Sequence, residues 1–242
     1  MKKIIHLSDL HVGYGDCETK LASVVTQIVA SYRPASTYLV VITGDTVDNA
    51  NEDNAYKKAL SILDPLTRAG FRILAVPGNH DYGTGAVGDR KFVKLFKEAY
   101  FGDVSTSYPK LDIFEDAAFI GLDSMAATFN WLDNLGADGE LGKQQLSALG
   151  EMLSSDRLTG LKKVVYLHHH PFDGKGRAHM LKDYKKFKQV IENRIDCLLF
   201  GHNHDGNQYP DVWGIPICFD GSSSTGKSAP KKPATPVRVI EL

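Results

Sequence analysis

The chain reads as an α/β protein, on three observations. Short, β-branched apolar runs alternate with segments whose apolar residues recur at helical spacing. Five of the apolar runs lead directly into short polar motifs rich in Asp, Asn and His. The C-terminal third carries few helical signals, which adds a mixed, partly antiparallel sheet to the expected architecture. The 242 residues, 43% of them hydrophobic, fit one domain spanning 1–242 with a large core.

The elements follow in order. Lys3–Leu7 reads as a short strand. Thr19–Tyr32 places Leu21, Val24, Val25, Ile28 and Val29 at helical spacing, and Pro34 ends that helix. Tyr38–Ile42 reads as a buried strand, Glu52–Arg68 as a helix closed by Gly70, and Phe71–Val76 as a strand running into Pro77-Gly78. A helix over Asp89–Tyr100 precedes a hairpin of Ile113–Glu115 and Phe119–Leu122. Helices over Gln144–Leu153 and Lys182–Asn193 alternate with strands Lys163–Leu167 and Cys197–Phe200. Trp213–Phe219 and Val237–Glu241 read as the last strands. Tyr82–Gly88 and Ala126–Asp138 look like insertions over a site, and Ser222–Pro236 reads as a loop.

Composition narrows the function classes. A formal net charge of −1 with well-mixed signs does not resemble a face that grips nucleic acid by neutralising phosphates, so no stable nucleic-acid complex is expected. Cys17, Cys197 and Cys218 are far apart and odd in number, which predicts free thiols in a reducing compartment. The apolar run at the N-terminus is too short for a signal peptide, and no stretch approaches the roughly 18 apolar residues of a membrane span. A cytoplasmic protein is the expectation.

The motifs are Asp9-x-His11, Gly44-Asp45-x-x-Asp48, Gly78-Asn79-His80-Asp81, His168-His169-His170-Pro171 and Gly201-His202-Asn203-His204. Taken singly, each has a bland reading as a turn or a helix cap. Together they place carboxylates, imidazoles and one amide at the C-terminal ends of several strands, the edge where α/β sheets bind ligands. Asp9 and His11 are two residues apart, as are His202 and His204, so each pair can share an ion. Seven donors exceed what one ion takes and suit two ions bridged by a carboxylate. The lack of cysteine among them argues against a structural zinc site. Mixed nitrogen and oxygen donors suit Mn, Fe, Zn or Co, as two divalent or mixed-valence ions. One of the three consecutive histidines belongs to the set, and spacing from the strand leaves open which.

In this order the motifs resemble the calcineurin-like metallophosphoesterase superfamily, over residues 4 to about 220. The segment Gly139-Glu140-Leu141, with Gln145, Leu146 and Leu149, resembles its cyclic-nucleotide phosphodiesterase branch. The resemblance implies a four-layer α/β/β/α sandwich with two mixed sheets and the metal site at strand C-terminal ends. It implies that Asp9, His11, Asp45 and His204 hold one ion, and that Asp45, Asn79, His169 and His202 hold the other. The His-x-Pro spacing of the family selects His169. His80 would contact the phosphate or protonate the leaving oxygen, and Asp48 would orient His80. A metal-bridging hydroxide would attack in line, with both ions offsetting phosphate charge.

Gly221–Ser228 matches the pattern GxxxxGK[ST] of a nucleotide P-loop after a strand over Ile217–Phe219. Pro230, Pro233 and Pro236 forbid the helix that must follow, so a flexible Ser/Gly/Lys loop near the site is expected, and a contact of Lys227 with a substrate phosphate is the lesser alternative. Phosphodiester hydrolysis of a small phosphoester, nucleotides included, is the leading expectation. A phosphomonoesterase or protein phosphatase on the same site is the alternative, and a non-catalytic scaffold or a DNA-repair nuclease ranks lower. The loops 82–88, 126–138 and 173–178 would set that choice, with Phe129 and Trp131 available to stack on a base or to pack the loop down.

Overall fold

In the computed structural model, residues 2–128, 138–172, 181–227 and 237–242 are described. The chain runs β1 (Lys3–Leu7), α1 (Cys17–Ser31), β2 (Tyr38–Thr43), α2 (Ala55–Arg68), β3 (Arg72–Val76), α3 (Arg90–Phe101), β4 (Lys110–Phe114), β5 (Ala117–Gly121), α4 (Lys143–Leu153), β6 (Lys162–Tyr166), α5 (Tyr184–Ile191), β7 (Cys197–Phe200), β8 (Ile217–Asp220) and β9 (Arg238–Glu241). One sheet has the order β3-β2-β1-β9, parallel except for β9. The other has the order β4-β5-β6-β7-β8, parallel except for β4. Both sheets are therefore mixed, as expected.

Side-chain alternation explains why the strands read as continuous apolar runs. In β1, Ile5 and Leu7 pack with α1, α2 and α3, while Ile4 faces the other sheet. In β2, Val40 and Ile42 take the helix side, and Leu39 and Val41 the inter-sheet side. The second sheet repeats the rule. Ala118, Ile120, Val165 and Leu198 meet α4 and α5, whereas Phe119, Val164, Tyr166 and Leu199 fill the seam between the sheets. Three cores separate four layers, α/β/β/α. Phe119 is fully buried in that seam, where truncation to Ala typically costs about 3–5 kcal/mol. Among the described residues, no helix is long and apolar enough to cross a membrane.

The C-terminal ends of β1, β2 and β3 meet those of β6 and β7, and every motif follows one of these ends. Several expectations on element extent change, among them β4, which begins at Lys110 rather than Ile113, and α1, which begins at Cys17 rather than Thr19. The strand expected at Trp213–Phe219 begins only at Ile217, because Trp213 and Gly214, both left-handed, turn the chain so that Ile215 N donates to Val212 O. The helix expected from Lys182 starts at Tyr184, because the Asp183 carboxylate binds the amides of Leu141 and Gly142. The helix expected from Glu52 starts at Ala55, after a left-handed Asn54.

Candidate metal centre

The loops that carry the motifs adopt backbone that side-chain-bearing residues rarely occupy. Asp9 (φ 52°), His11 (45°), Asp45 (50°), His202 (74°) and His204 (57°) are all left-handed. Each such residue costs about 1–3 kcal/mol, and such residues cluster where surrounding structure over-determines them. Here the first two loops are laced together. Asp9 N donates to Gly44 O (3.1 Å), His11 N to Asp45 O (2.9 Å) and Asp48 N to Val12 O (2.9 Å).

The side chains converge in two sets. In one, His204 Nε2 lies 3.0 Å from Asp9 Oδ1 and 3.5 Å from His11 Nε2. In the other, His168 Nε2 lies 3.4 Å from Asp45 Oδ2, 3.0 Å from Asn79 Oδ1 and 3.2 Å from His202 Nδ1, and the last two atoms are 3.1 Å apart. Asp45 Oδ2 is also 3.8 Å from His11 Nε2, so it sits between the sets. Bonds of about 2.0–2.2 Å to a shared ion place neighbouring donor atoms roughly 3.0–3.5 Å apart. His168 Nε2 carries at most one proton yet meets three other donor atoms at once, a convergence that fits a shared ion. Asp9, His11 and His204, and separately Asp9, Asp45 and His168, each bring one ligand atom within 4.8 Å of the others. His11, Asp45 and His80 do the same, which puts His80 at the border of the cluster.

Surrounding groups aim these donors. Ser8 Oγ donates to Asp9 Oδ2 (2.5 Å) and takes a bond from Thr43 Oγ1 (2.8 Å), which in turn meets His6 Nε2 (2.9 Å). Asn79 Nδ2 donates to Gly85 O (3.1 Å), which turns its Oδ1 toward His168 and His202. His80 N donates to Asp45 Oδ1 (2.9 Å), leaving Oδ2 for the centre. The fully buried Asp81 accepts from Gly78 N, Thr46 N and the Tyr56 hydroxyl and so ties the third motif down. Two glycines make room. A Cβ on Gly78 would lie 2.2 Å from Asp45 Oδ1, and one on Gly201 would lie 2.0 Å from Ser8 Oγ.

Charge follows the same design. Burial raises the cost of ionising Asp45, yet His168, His80 and His11 hold its pKa well below the usual carboxylate range. Against burial, His204 lowers Asp9. Against burial, Asp45 and Asp9 push His168 up to about 9. Burial pulls His11 down. Asp81, desolvated and facing Asp45, is raised to about 7.

The structure thus brings together Asp9, His11, Asp45, Asn79, His202 and His204, with His80 and Asp48 at their edge. It differs from expectation at two positions. The imidazole that enters the donor set is that of His168. His169 turns its Nδ1 to Ser124 Oγ (2.7 Å) and stacks beside His202, and His170 meets the Tyr209 hydroxyl (3.0 Å). Asp48 holds His80 with its backbone carbonyl, 2.5 Å from Nδ1, while its carboxylate lies 3.3 Å from His11 Nδ1. A carbonyl can only accept, so His80 Nδ1 carries the proton and Nε2 is its exchangeable atom. The 221–227 segment is no loose loop. Ser223 Oγ donates to Asp9 O (2.9 Å), Ser8 N to Ser224 Oγ (3.1 Å), and Ser222–Thr225 are buried. Phe129, Trp131 and 173–178 lie outside the described residues.

Comparison with known proteins bears on the family and the fold. The family model described as calcineurin-like phosphoesterase matches residues 2–206. A probable cyclic nucleotide phosphodiesterase from Coxiella burnetii is 28% identical over 214 residues, 84% of this chain and 76% of that protein. A dimetal phosphatase from Danio rerio shares the fold with a TM-score of 0.65 at 16% identity, covering 91% of this chain and 87% of that one. Phosphopantetheinyl hydrolase from Mycobacterium tuberculosis gives 0.60 at 12% identity, covering 99% and 95%.

Proposed function

The chain belongs to the calcineurin-like phosphoesterase family, the metal-dependent phosphoesterases, and we propose that it is a two-metal phosphodiesterase acting on small phosphoesters such as cyclic nucleotides. One observation carries this reading: two sets of nitrogen and oxygen donors, each at ion-sharing spacing, with Asp45 Oδ2 between them. Asp9, His11, Asp45 and His204 would hold one ion, and Asp45, Asn79, His168 and His202 the other. Mn, Fe, Zn and Co all accept such donors. Bound ions would supply Lewis acidity, lowering the pKa of a water and offsetting phosphate charge.

The residues of the chain do the rest. Asp45 and Asp9 stay ionised at neutral pH because the surrounding imidazoles stabilise them. His80, fixed through Nδ1 by Asp48 O, stands at the border of the cluster with Gly85 leaving room beside Nε2, from which a proton would pass to the leaving oxygen. Help of this kind contributes roughly 10²–10⁴ in rate. The preference for diesters is supported by the Coxiella burnetii relative and by the 139–149 segment, whose Gly139 lies against the His169 ring.

The test is a panel of cyclic nucleotides, bis(p-nitrophenyl) phosphate and p-nitrophenyl phosphate, run on protein stripped and then reloaded with Mn, Fe, Zn or Co. A kcat/KM for diesters at least tenfold above that for monoesters is expected. The reverse ratio would make the protein a phosphomonoesterase on the same site. Asp45→Ala is expected to lose both ions and all turnover, by elemental analysis beside the same assay.

A further inference from the structure

Lys227 ends the stretch that imitates a nucleotide P-loop, and its position gives it a different task. Its backbone N donates to Ser223 Oγ (3.2 Å), the same hydroxyl that donates to Asp9 O. Its side chain, 18% exposed, passes the Tyr14 ring at 4.9 Å from Nζ to centroid. Nζ forms an ion pair with Asp48 Oδ1 and comes within 3.3 Å of His11 Nδ1.

His11 has one nitrogen on each side of this arrangement. Nε2 faces His204 Nε2, Asp45 Oδ2 and Asp9 Oδ1. A histidine that gives the Nε2 lone pair to an ion keeps its proton on Nδ1, and an acceptor there fixes both tautomer and ring. Asp48 Oδ1, 3.3 Å from Nδ1, is that acceptor. Both Nδ1–H and the ammonium then donate to the same carboxylate, which accounts for the 3.3 Å approach of two donor groups. Asp48 is 23% exposed, and among the described residues its Oδ1 has, besides His11 and Lys227, only His80 Nδ1 at 3.8 Å, so its carboxylate borders water. Lys227 is itself anchored by its backbone and by Tyr14.

Resting on the two-ion reading above, we infer that Lys227 is a positioning residue for the ion held by Asp9, His11 and His204: it clamps the Asp48 carboxylate onto His11 Nδ1 and so aims Nε2 at that ion. Partners that orient a ligating histidine typically alter metal affinity by about 10–100-fold. Nothing in this role requires Lys227 to touch substrate.

The experiment is a metal titration of stripped protein, by calorimetry and chelator competition with Zn and Mn, on wild type, Lys227→Met, Lys227→Arg, Asp48→Asn and the Lys227→Met/Asp48→Asn pair. Lys227→Met is expected to weaken one of the two ions about 10–100-fold and leave the other within twofold. Arg should restore most of the loss. Asp48→Asn should weaken the same ion, and the pair should be no worse than Asp48→Asn alone, as for residues acting as a unit. At saturating metal, KM for bis(p-nitrophenyl) phosphate should change less than twofold. Unchanged metal affinity in Lys227→Met overturns the inference. So does a tenfold rise in KM at saturating metal, which would mean that the ammonium grips the substrate phosphate. Two tight ions with no turnover on any ester would defeat the phosphodiesterase reading while the titration still decides the role of Lys227.

Discussion

Asp220 closes β8 with its carboxylate inside the protein. Oδ1 accepts the Ser222 amide at 2.8 Å, Oδ2 is buried without a close partner, and the nearby Gly206 amide offsets only part of the cost of burial. Burial, with Asp9 nearby adding repulsion, raises its pKa to about 7 from the ordinary 3.8. The folded protein therefore holds a proton there that the unfolded chain releases above pH 3.8. Stability is largest below the unfolded value and falls as pH rises through the window up to about 7. Each pH unit between the two values is worth about 1.36 kcal/mol, so the whole window contributes on the order of 4 kcal/mol. Asp220→Asn keeps an oxygen for Ser222 and removes the titration. The new buried amide adds a cost that does not depend on pH, so the slope is what matters. In guanidinium denaturation with chelator present, the variant should gain on wild type by roughly 2–4 kcal/mol between about pH 4 and pH 8. In a chain of this length that is a difference in Tm on the order of 10 °C. Parallel pH profiles, or a variant that loses ground as pH rises, would refute the reasoning.

Elemental analysis separates the two neighbouring histidines: His168→Ala should lose one of two ions, and His169→Ala should keep both, because its ring bonds Ser124. His80→Ala should retain both ions and lose about 10²–10⁴ in kcat, measured on an aryl diester, whereas loss of metal in that variant would remove its assigned role. Gly78→Ala should fold yet bind metal poorly, since its Cβ would displace the Asp45 carboxylate, and normal metal content would contradict the close approach.

The α/β core is legible because both faces of the central strands are buried, and a run such as Tyr38-Leu39-Val40-Val41-Ile42 has no polar face to show water; the two-sheet sandwich comes only with the family resemblance. The donor set is legible because Asp, Asn and His sit where those strands stop. Motif spacing misses the choice among the three histidines, although its signal lies in the strand itself. Val164 and Tyr166 face the opposite sheet and Val165 and Leu167 face the helices, so a period of two carries His168 toward Asp45 and His169 away. Spacing to Pro171 reads forward from the loop and ignores this parity. Other features have no local signal. Asp183 shortens its own helix to serve two amides on a distant segment, and Ser223 and Thr225 serve Asp9 and Leu10 across the chain.

That last arrangement sets an order of manufacture. Asp9 leaves the ribosome 214 residues before the hydroxyl that fastens its carbonyl, and the strand that flanks β1 arrives later still. A nascent or clipped chain that stops before β8 already carries all five motifs, yet it lacks the hydroxyl that fastens the backbone of the earliest one. The loop of the first motif is therefore completed late, only when the segment after β8 folds back onto Asp9 and Leu10.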